Sequence, residues 1–370
     1  MADRLPGGKS GVTSILERYP KTTGLVLAVA LSALRLVALE GGVRAIFPEV
    51  NFRGIARGLF APAPWPGGYA NARGFSGHVF GAKVSIDERG LRVDSTSGRR
   101  FDPARDSVLI LGDSVSFGVG VEDGKTFADQ LAAAWPERNV LNAAVIGYGL
   151  EDYAAALPAL LDIQTDALRV REVILGICLN DGVPSSKAAI LAQAARERGE
   201  QPAGDSEAPA GGPIVRAVTA ANAFLRERSK LYVLVKSAFR DAAGSYFRAD
   251  RPFYDDSAAV QRALDHLDNV VQMLAERGIP LTVVVFPYEY QLRSGDDARV
   301  WLPQKLLLEH LAARAVPGID LADALRQDHA ATGQSFPAYF LFDDPMHLSA
   351  AGHAVAARTL LEAHPGPRPR

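Results

Sequence analysis

LILGDSVSFGVGVEDGKTF, Leu109 to Phe127, carries a short apolar run straight into Gly112-Asp113-Ser114 and then into a second glycine-rich patch. Apolar β-branched runs of this kind recur at Val108 to Leu111, Val140 to Leu141, Val173 to Cys178 and Leu281 to Phe286. Between them the spacing predicts helices over Phe127 to Ala134, Tyr153 to Leu161 and Ala258 to Glu276. The last keeps Val260, Leu264, Leu267, Val271 and Leu274 at helical intervals. Strands alternating with helices imply an α/β domain, a central parallel sheet covered on both faces. In such sheets ligands sit beyond the carboxyl ends of the strands, and Ser114 stands at such an end. The preceding glycine allows a sharp turn, and a following helical turn aims amide donors at whatever the hydroxyl attacks. Ser116 occupies the place of the second glycine of a G-x-S-x-G elbow, which disfavours the usual lipase arrangement.

A serine nucleophile needs a base, and the base needs an orienting acid. FDDPMHLSAAGH, Phe342 to His353, puts Asp344 three residues before His347 and just ahead of a helix starting near Ser349. That spacing in a turn can lay a carboxylate on one imidazole nitrogen and leave the other facing the serine. Asp343 is the rival orienter, and His353, on the following helix, reads as packed or capping. A metal set of Asp343, Asp344, His347 and His353 lacks the H-x-x-x-H or H-E-x-x-H spacing that would support it. Oxyanion donors have two candidate sources at strand ends: a glycine, Gly147 or Gly149, within Asn142 to Gly149, and the Asn180 side chain, within Leu179 to Gly182. Asn142 and Asn180 could each also serve only local backbone. Tyr288, Tyr290 and Trp135 could line a cleft, but aromatic residues near strand ends more often pack.

The ordered set of serine, glycine, asparagine and D-x-x-H resembles the SGNH/GDSL hydrolase superfamily, over about Val108 to Ala357. The resemblance implies a three-layer, flavodoxin-like fold. It implies Ser114 as nucleophile and first oxyanion NH, Gly147 as second donor, Asn180 as third, His347 as base and Asp344 as its partner. One block departs from the family pattern: G-x-N-D is replaced by Cys178-Leu179-Asn180-Asp181, and the nearest glycine is Gly176. The implied activity is a serine esterase acting on O-acyl, especially acetyl, esters of a small molecule or polysaccharide through an acyl-enzyme, with no metal or organic cofactor. A polysaccharide O-acyltransferase would use the same residues. A glycan-binding or assembly subunit without turnover is the reading from a different class.

Composition and the N-terminus set the surroundings. The chain has 370 residues, 48% of them hydrophobic, enough for a large core. Its 40 basic and 42 acidic residues give a formal charge of −2, which leaves no basic footprint for nucleic acid. A single cysteine, Cys178, excludes an intramolecular disulfide. Thr22 to Leu39 is largely apolar with a single charge, Arg35, near the end where a long side chain can snorkel to the interface. An uncleaved, single-pass anchor is expected there, because the run ends in Leu39-Glu40 and offers no small-residue cleavage site. Arg4, Lys9, Arg18 and Lys21 lie before it and Arg44, Arg53 and Arg57 soon after, a slight positive-inside bias that leans towards an inside N-terminus and an exported, periplasmic body. The resulting division is a cytoplasmic segment 1–21, an anchor 22–39, a connector 40–106 with a hairpin near Ala82 to Asp87, and a hydrolase-like domain 107–364. Within that domain 196–213 reads as a flexible insertion and Ile214 to Arg248 as helical, and 365–370 forms a disordered tail. Anchor plus Gly/Arg-rich connector also looks like the membrane-tethered members that modify cell-surface polysaccharides.

Overall fold

The computed structural model of the protein describes residues 20–63, 65, 68–162, 168–183 and 212–364. The N-terminal segment before residue 20, most of the insertion 196–213 and the tail 365–370 lie outside the described residues. Helix α1 (Pro20–Ile46) contains the apolar run expected over 22–39 and extends it. At 1.5 Å per residue it is about 40 Å long, and its Leu25, Val29, Leu34 and Val37 are exposed. By length and composition it can cross a membrane.

Strands β1 (Phe60–Pro62) and β2 (Tyr69–Asn71) pair antiparallel with each other. Next come β3 (Ser76–Val79), β4 (Ala82–Ile86) and β5 (Arg92–Val93), followed by the first core strand, β6 (Ser107–Leu111). Beyond it lie the one-turn helix α2 (Ser114–Phe117), α3 (Phe127–Ala134), β7 (Asn139–Asn142), α4 (Leu150–Asp162) and β8 (Val170–Ile177). The stretch expected to be helical after the insertion resolves into α5 (Pro213–Arg228), α6 (Lys230–Ser237) and α7 (Ala242–Asp250). The chain continues through α8 (Ser257–Glu276), β9 (Leu281–Val285), α9 (Glu289–Arg293), α10 (Leu302–Ala313), β10 (Gly318–Asp320) and α11 (Leu321–Thr332). It ends in the small pair β11 (Phe340–Leu341) and β12 (Asp344–Leu348) and in α12 (Ala350–Ala363).

The main sheet runs β10-β9-β8-β6-β7-β5-β4-β3. The five strands from β10 to β7 are parallel, with Val108 opposite Val140 and Leu109 opposite Val173. Their order is the flavodoxin-like one, with the switch point at β6. Every residue of β6 and β9 is buried, because helices cover both faces: α8 packs on α4, and α12 on α3 and α11. The part of 40–106 nearest the core adds β5, β4 and β3 antiparallel to the β7 edge of this same sheet. Because β6 lies between β7 and β8, the loops leaving all three carboxyl ends converge on one crevice.

Candidate active site

The turn that carries Ser114 is built by a glycine and an aspartate. Gly112 has φ +151°, and a Cβ there would come within 2.2 Å of Ser116 Oγ. Asp113 caps α2, its Oδ1 accepting from the Val115 amide at 2.8 Å. Ser114 Oγ lies 3.1 Å from Asp113 Oδ2, and burial raises the Asp113 carboxyl. At the other end of the turn the buried Arg92 guanidinium donates to the carbonyls of Phe117 and Gly118, both at 2.6 Å, and of Val121. It also faces Asp123 at 3.6 Å. A strand of the former connector therefore fixes the end of the serine turn.

His347, on β12, brings Nε2 to 2.9 Å from Ser114 Oγ and Nδ1 to 2.8 Å from Asp344 Oδ2. With Nδ1–H donated to the carboxylate, the Nε2 lone pair is left to accept the serine proton. The imidazole pairs with Asp344, while the rival, Asp343, is half-buried in the left-handed region at φ +54°. Burial opposes ionisation of Asp344. The His347 charge and hydrogen bond, joined by Arg53, outweigh it and hold the carboxyl well below the usual carboxylate range. His353 is occupied elsewhere: it stacks on Phe127, and its Nδ1 accepts from the Phe127 amide at 3.1 Å.

Arg53 is the residue that sequence reasoning missed. Its side chain is 2% exposed, and its Nη1 donates at 2.5 Å to the same Asp344 oxygen that receives His347. Its Nη2 bonds the Phe342 carbonyl. The guanidinium lies over the Phe80 ring, whose edge meets the His347 ring at 5.8 Å. The result is a continuous line of polar contacts from Arg53 through Asp344 and His347 to Ser114.

The two neighbouring loops bear Gly147 and Asn180. Gly147 adopts φ +83°. Its loop is tied to the serine strand by the Ala143 and Val145 amides, which donate to Ile110 and Gly112 carbonyls at 2.9 and 3.0 Å. Asn142 does more than serve local backbone: it accepts from the Ala144 amide and donates to the Ser116 carbonyl in the serine turn, both at 3.1 Å. From β2, the Tyr69 hydroxyl donates to the Ile146 carbonyl at 2.8 Å and Asn71 Nδ2 to the Ala144 carbonyl at 3.0 Å. Asn180 lies in a 3-10 turn whose Asp181 carboxyl accepts from the Cys178 amide at 2.9 Å and from the Tyr153 hydroxyl at 2.8 Å. Burial, reinforced by Asp113, pushes the Asp181 carboxyl well up.

This turn explains the missing glycine of the third block. Cys178 has φ −109° and ψ 166°, extended backbone that any residue adopts. Gly176 answers a different need, since a Cβ there would meet Ser116 Oγ at 2.1 Å. Gly149 is a third close approach, 2.6 Å from the Asp181 carbonyl if it carried a Cβ, and it lets the two loops touch. Tyr288 is fully buried. Its hydroxyl contacts Asn180 Oδ1 at 3.4 Å and Asp250 Oδ2 at 2.6 Å, which leaves the nitrogen end of the Asn180 amide to donate elsewhere. Trp135 is buried and Tyr290 stacks on Phe247, so both are packing residues.

The sequence pattern of the GDSL-like Lipase/Acylhydrolase family matches residues 110–355. No curated protein matches the chain. Among solved structures, a catalytic mutant of an acetylxylan esterase from Geobacillus stearothermophilus is similar at 15% identity, covering 72% of this chain and 97% of its own, with a TM-score of 0.42. A member of the lipolytic G-D-S-L family from Veillonella parvula is similar at 12% identity, covering 70% and 99%, with a TM-score of 0.40. A lipase/acylhydrolase from Enterococcus faecalis is similar at 14% identity, covering 70% and 95%, with a TM-score of 0.38.

Proposed function

Because the chain belongs to the GDSL-like lipase/acylhydrolase family, we propose that it is a serine esterase that cleaves O-acyl esters, in particular acetyl esters of a carbohydrate, through an acyl-enzyme. The observation that carries this reading is the unbroken hydrogen-bond chain Asp344–His347–Ser114. Ser114 Oγ attacks the ester carbonyl while His347 Nε2 takes its proton, and buried Asp344 stabilises the imidazolium. The developing oxyanion is held by the Ser114 NH, the Gly147 NH and the Asn180 amide, each such donor being worth about 2.7–4 kcal/mol of barrier. Collapse expels the alcohol, protonated by His347. Water then attacks the acyl-enzyme with His347 as base and releases the carboxylic acid. The carbohydrate substrate class follows from the likeness of anchor and connector to membrane-tethered polysaccharide-modifying members.

The test uses the full chain in detergent, with a fluorophosphonate probe and p-nitrophenyl acetate. The parent is expected to label and turn over. Ser114→Ala should lose both, and His347→Ala should lose turnover by about 10⁴ or more. A folded parent that neither labels nor hydrolyses overturns the reading in favour of a binding subunit. An acylated oligosaccharide tests the acceptor: free acid supports the esterase, whereas acyl groups appearing on added glycan with no free acid would make the protein a transferase.

A further inference from the structure

Residues that follow the apolar run of α1 are clamped to the junction of α5 and α6. The Glu40 carboxylate caps the first turn of α6, accepting from Ser229 Oγ at 2.8 Å and from the Lys230 and Leu231 amides at 3.0 and 2.9 Å. Arg44 Nη2 donates to the Arg228 carbonyl at 3.0 Å. If α1 spans a bilayer, its apolar run ends at Leu39 and this junction lies at headgroup level. Aromatic and basic side chains gather there: Arg44 and Lys230 over the Phe52 ring at 5.1 and 5.9 Å, and Arg228 over Phe224 at 4.4 Å. That pairing of rings with long cations is what membrane interfaces select.

Helix α5 buries no residue at all. Ile214, Val218 and Leu225 nevertheless fall on one stripe at i, i+4 and i+11, with Ile214 79% and Val218 63% exposed. Just past α6, Phe239 is 88% exposed. Between Pro213 and Arg240 the chain carries Arg216, Arg226, Arg228, Lys230, Lys236 and Arg240 against the single acid Glu227. An amphipathic, basic helix with an uncovered apolar stripe is the signature of an element lying in a lipid interface.

We propose that α5 and α6 form a platform that lies on the surface of an anionic bilayer beside the α1 span. The proposal rests on reading α1 as an anchor. Continuity with the end of α1 places the platform at the lipid surface, and its excess of Lys and Arg selects anionic lipid. The platform also reaches the site. The Arg53 amide donates to the Arg226 carbonyl at 2.9 Å, so the residue that grips Asp344 is held to α5. Lipid contact would thereby fix the orientation of the Ser114 crevice relative to the membrane.

The experiment reconstitutes the full chain into vesicles of phosphatidylcholine, alone or mixed with phosphatidylglycerol. Single environment-sensitive dyes are attached at Val218→Cys, Phe239→Cys, Val29→Cys on α1 and Glu309→Cys on α10, which packs at the opposite edge of the sheet. Native Cys178 is buried. Dyes at 218 and 239 are expected to shift to the blue and lose most of their fluorescence to lipid spin-labelled near the headgroup, more so with phosphatidylglycerol. The dye at 29 should be quenched by deep spin labels and the dye at 309 by neither. Quenching at 29 without quenching at 218 and 239 overturns the platform and leaves the anchor standing. No quenching at 29 removes the anchor and the platform together. A blue shift at 218 that depends on protein concentration and ignores spin-labelled lipid assigns the face to a second copy. One that ignores both dilution and spin-labelled lipid assigns it to the chain's own residues. Either result overturns the proposal.

Discussion

Arg53→Ala removes a guanidinium that shares one oxygen, Asp344 Oδ2, with the His347 ring. Together with His347 it holds the buried Asp344 carboxyl ionised, well below the usual carboxylate range. Without it the carboxylate that orients the imidazole loses its brace, and kcat for p-nitrophenyl acetate should fall by up to about 10²-fold as the ring loses its alignment on Ser114. Stability should fall as well, by about 3–5 kcal/mol, because Asp344 loses one partner of a buried pair. Arg53→Lys separates charge from geometry. It keeps the cation, but one ammonium does not reproduce the planar fork that bonds Asp344 and the Phe342 carbonyl together, so part of the rate and stability is lost. The assays are p-nitrophenyl acetate turnover and urea unfolding of the full chain. An Arg53→Ala variant with the parent's turnover and urea midpoint would refute the ion-pair role and reduce Arg53 to packing.

Three further outcomes follow from the same geometry. Arg92→Met strips three carbonyls and Asp123 of their buried cation and is expected to cost about 3–5 kcal/mol in urea unfolding and to slow fluorophosphonate labelling of Ser114; parental labelling would show that the serine turn holds without it. Gly149→Ala puts a Cβ 2.6 Å from the Asp181 carbonyl. It should lower kcat by about 10²-fold with KM little changed, as when one oxyanion donor is displaced, and an unchanged kcat would detach Asn180 from catalysis. His353 is pushed down to about 3, chiefly by burial and then by the charges of Arg92 and His347, against 6.5 when free. Between those values the unfolded chain binds a proton that the folded one refuses, so stability drops as pH falls through that window, by up to about 1.4 kcal/mol per unit. His353→Asn retains an acceptor for the Phe127 amide and removes the titration, and the acid slope of the urea midpoint should flatten; a slope equal to the parent's would show that other groups govern it.

Much of the domain was legible because its signals are local. The all-buried strands β6 and β9 read as apolar runs, and α8 as a helical stripe, with no knowledge of their neighbours. Ser114 at a strand end and Asp344 three residues before His347 are likewise short-range patterns, and the structure brings the three side chains together. The same i, i+3 spacing favoured Asp344 over Asp343, and in the structure Asp343 turns through φ +54° before β12 begins while Asp344 meets the imidazole. Cys178, where the family pattern has a glycine, needs none because the backbone there is extended, and the glycine that space does require, Gly176, lies two residues earlier.

The braces of the site were invisible because each spans a long stretch of chain and lies in a segment without periodicity. Arg53 meets Asp344, Asn71 meets Ala144, and Arg92 meets Phe117, and no local spacing announces any of them. Topology supplies the reason they exist. Without β5, β4 and β3, the strand β7 would be the open edge of the parallel sheet, with unpaired backbone groups beside the crevice. Covering that edge is a requirement of the fold, and the segment that covers it passes directly over the loop carrying Gly147. Tyr69 and Asn71 bond that loop, Arg92 holds the end of the serine turn, and Arg53 reaches Asp344. The residues between the apolar helix and the first core strand therefore work as one wall of the site, and a chain begun at β6 would keep Ser114, His347 and Asp344 while losing the contacts that hold all three in register.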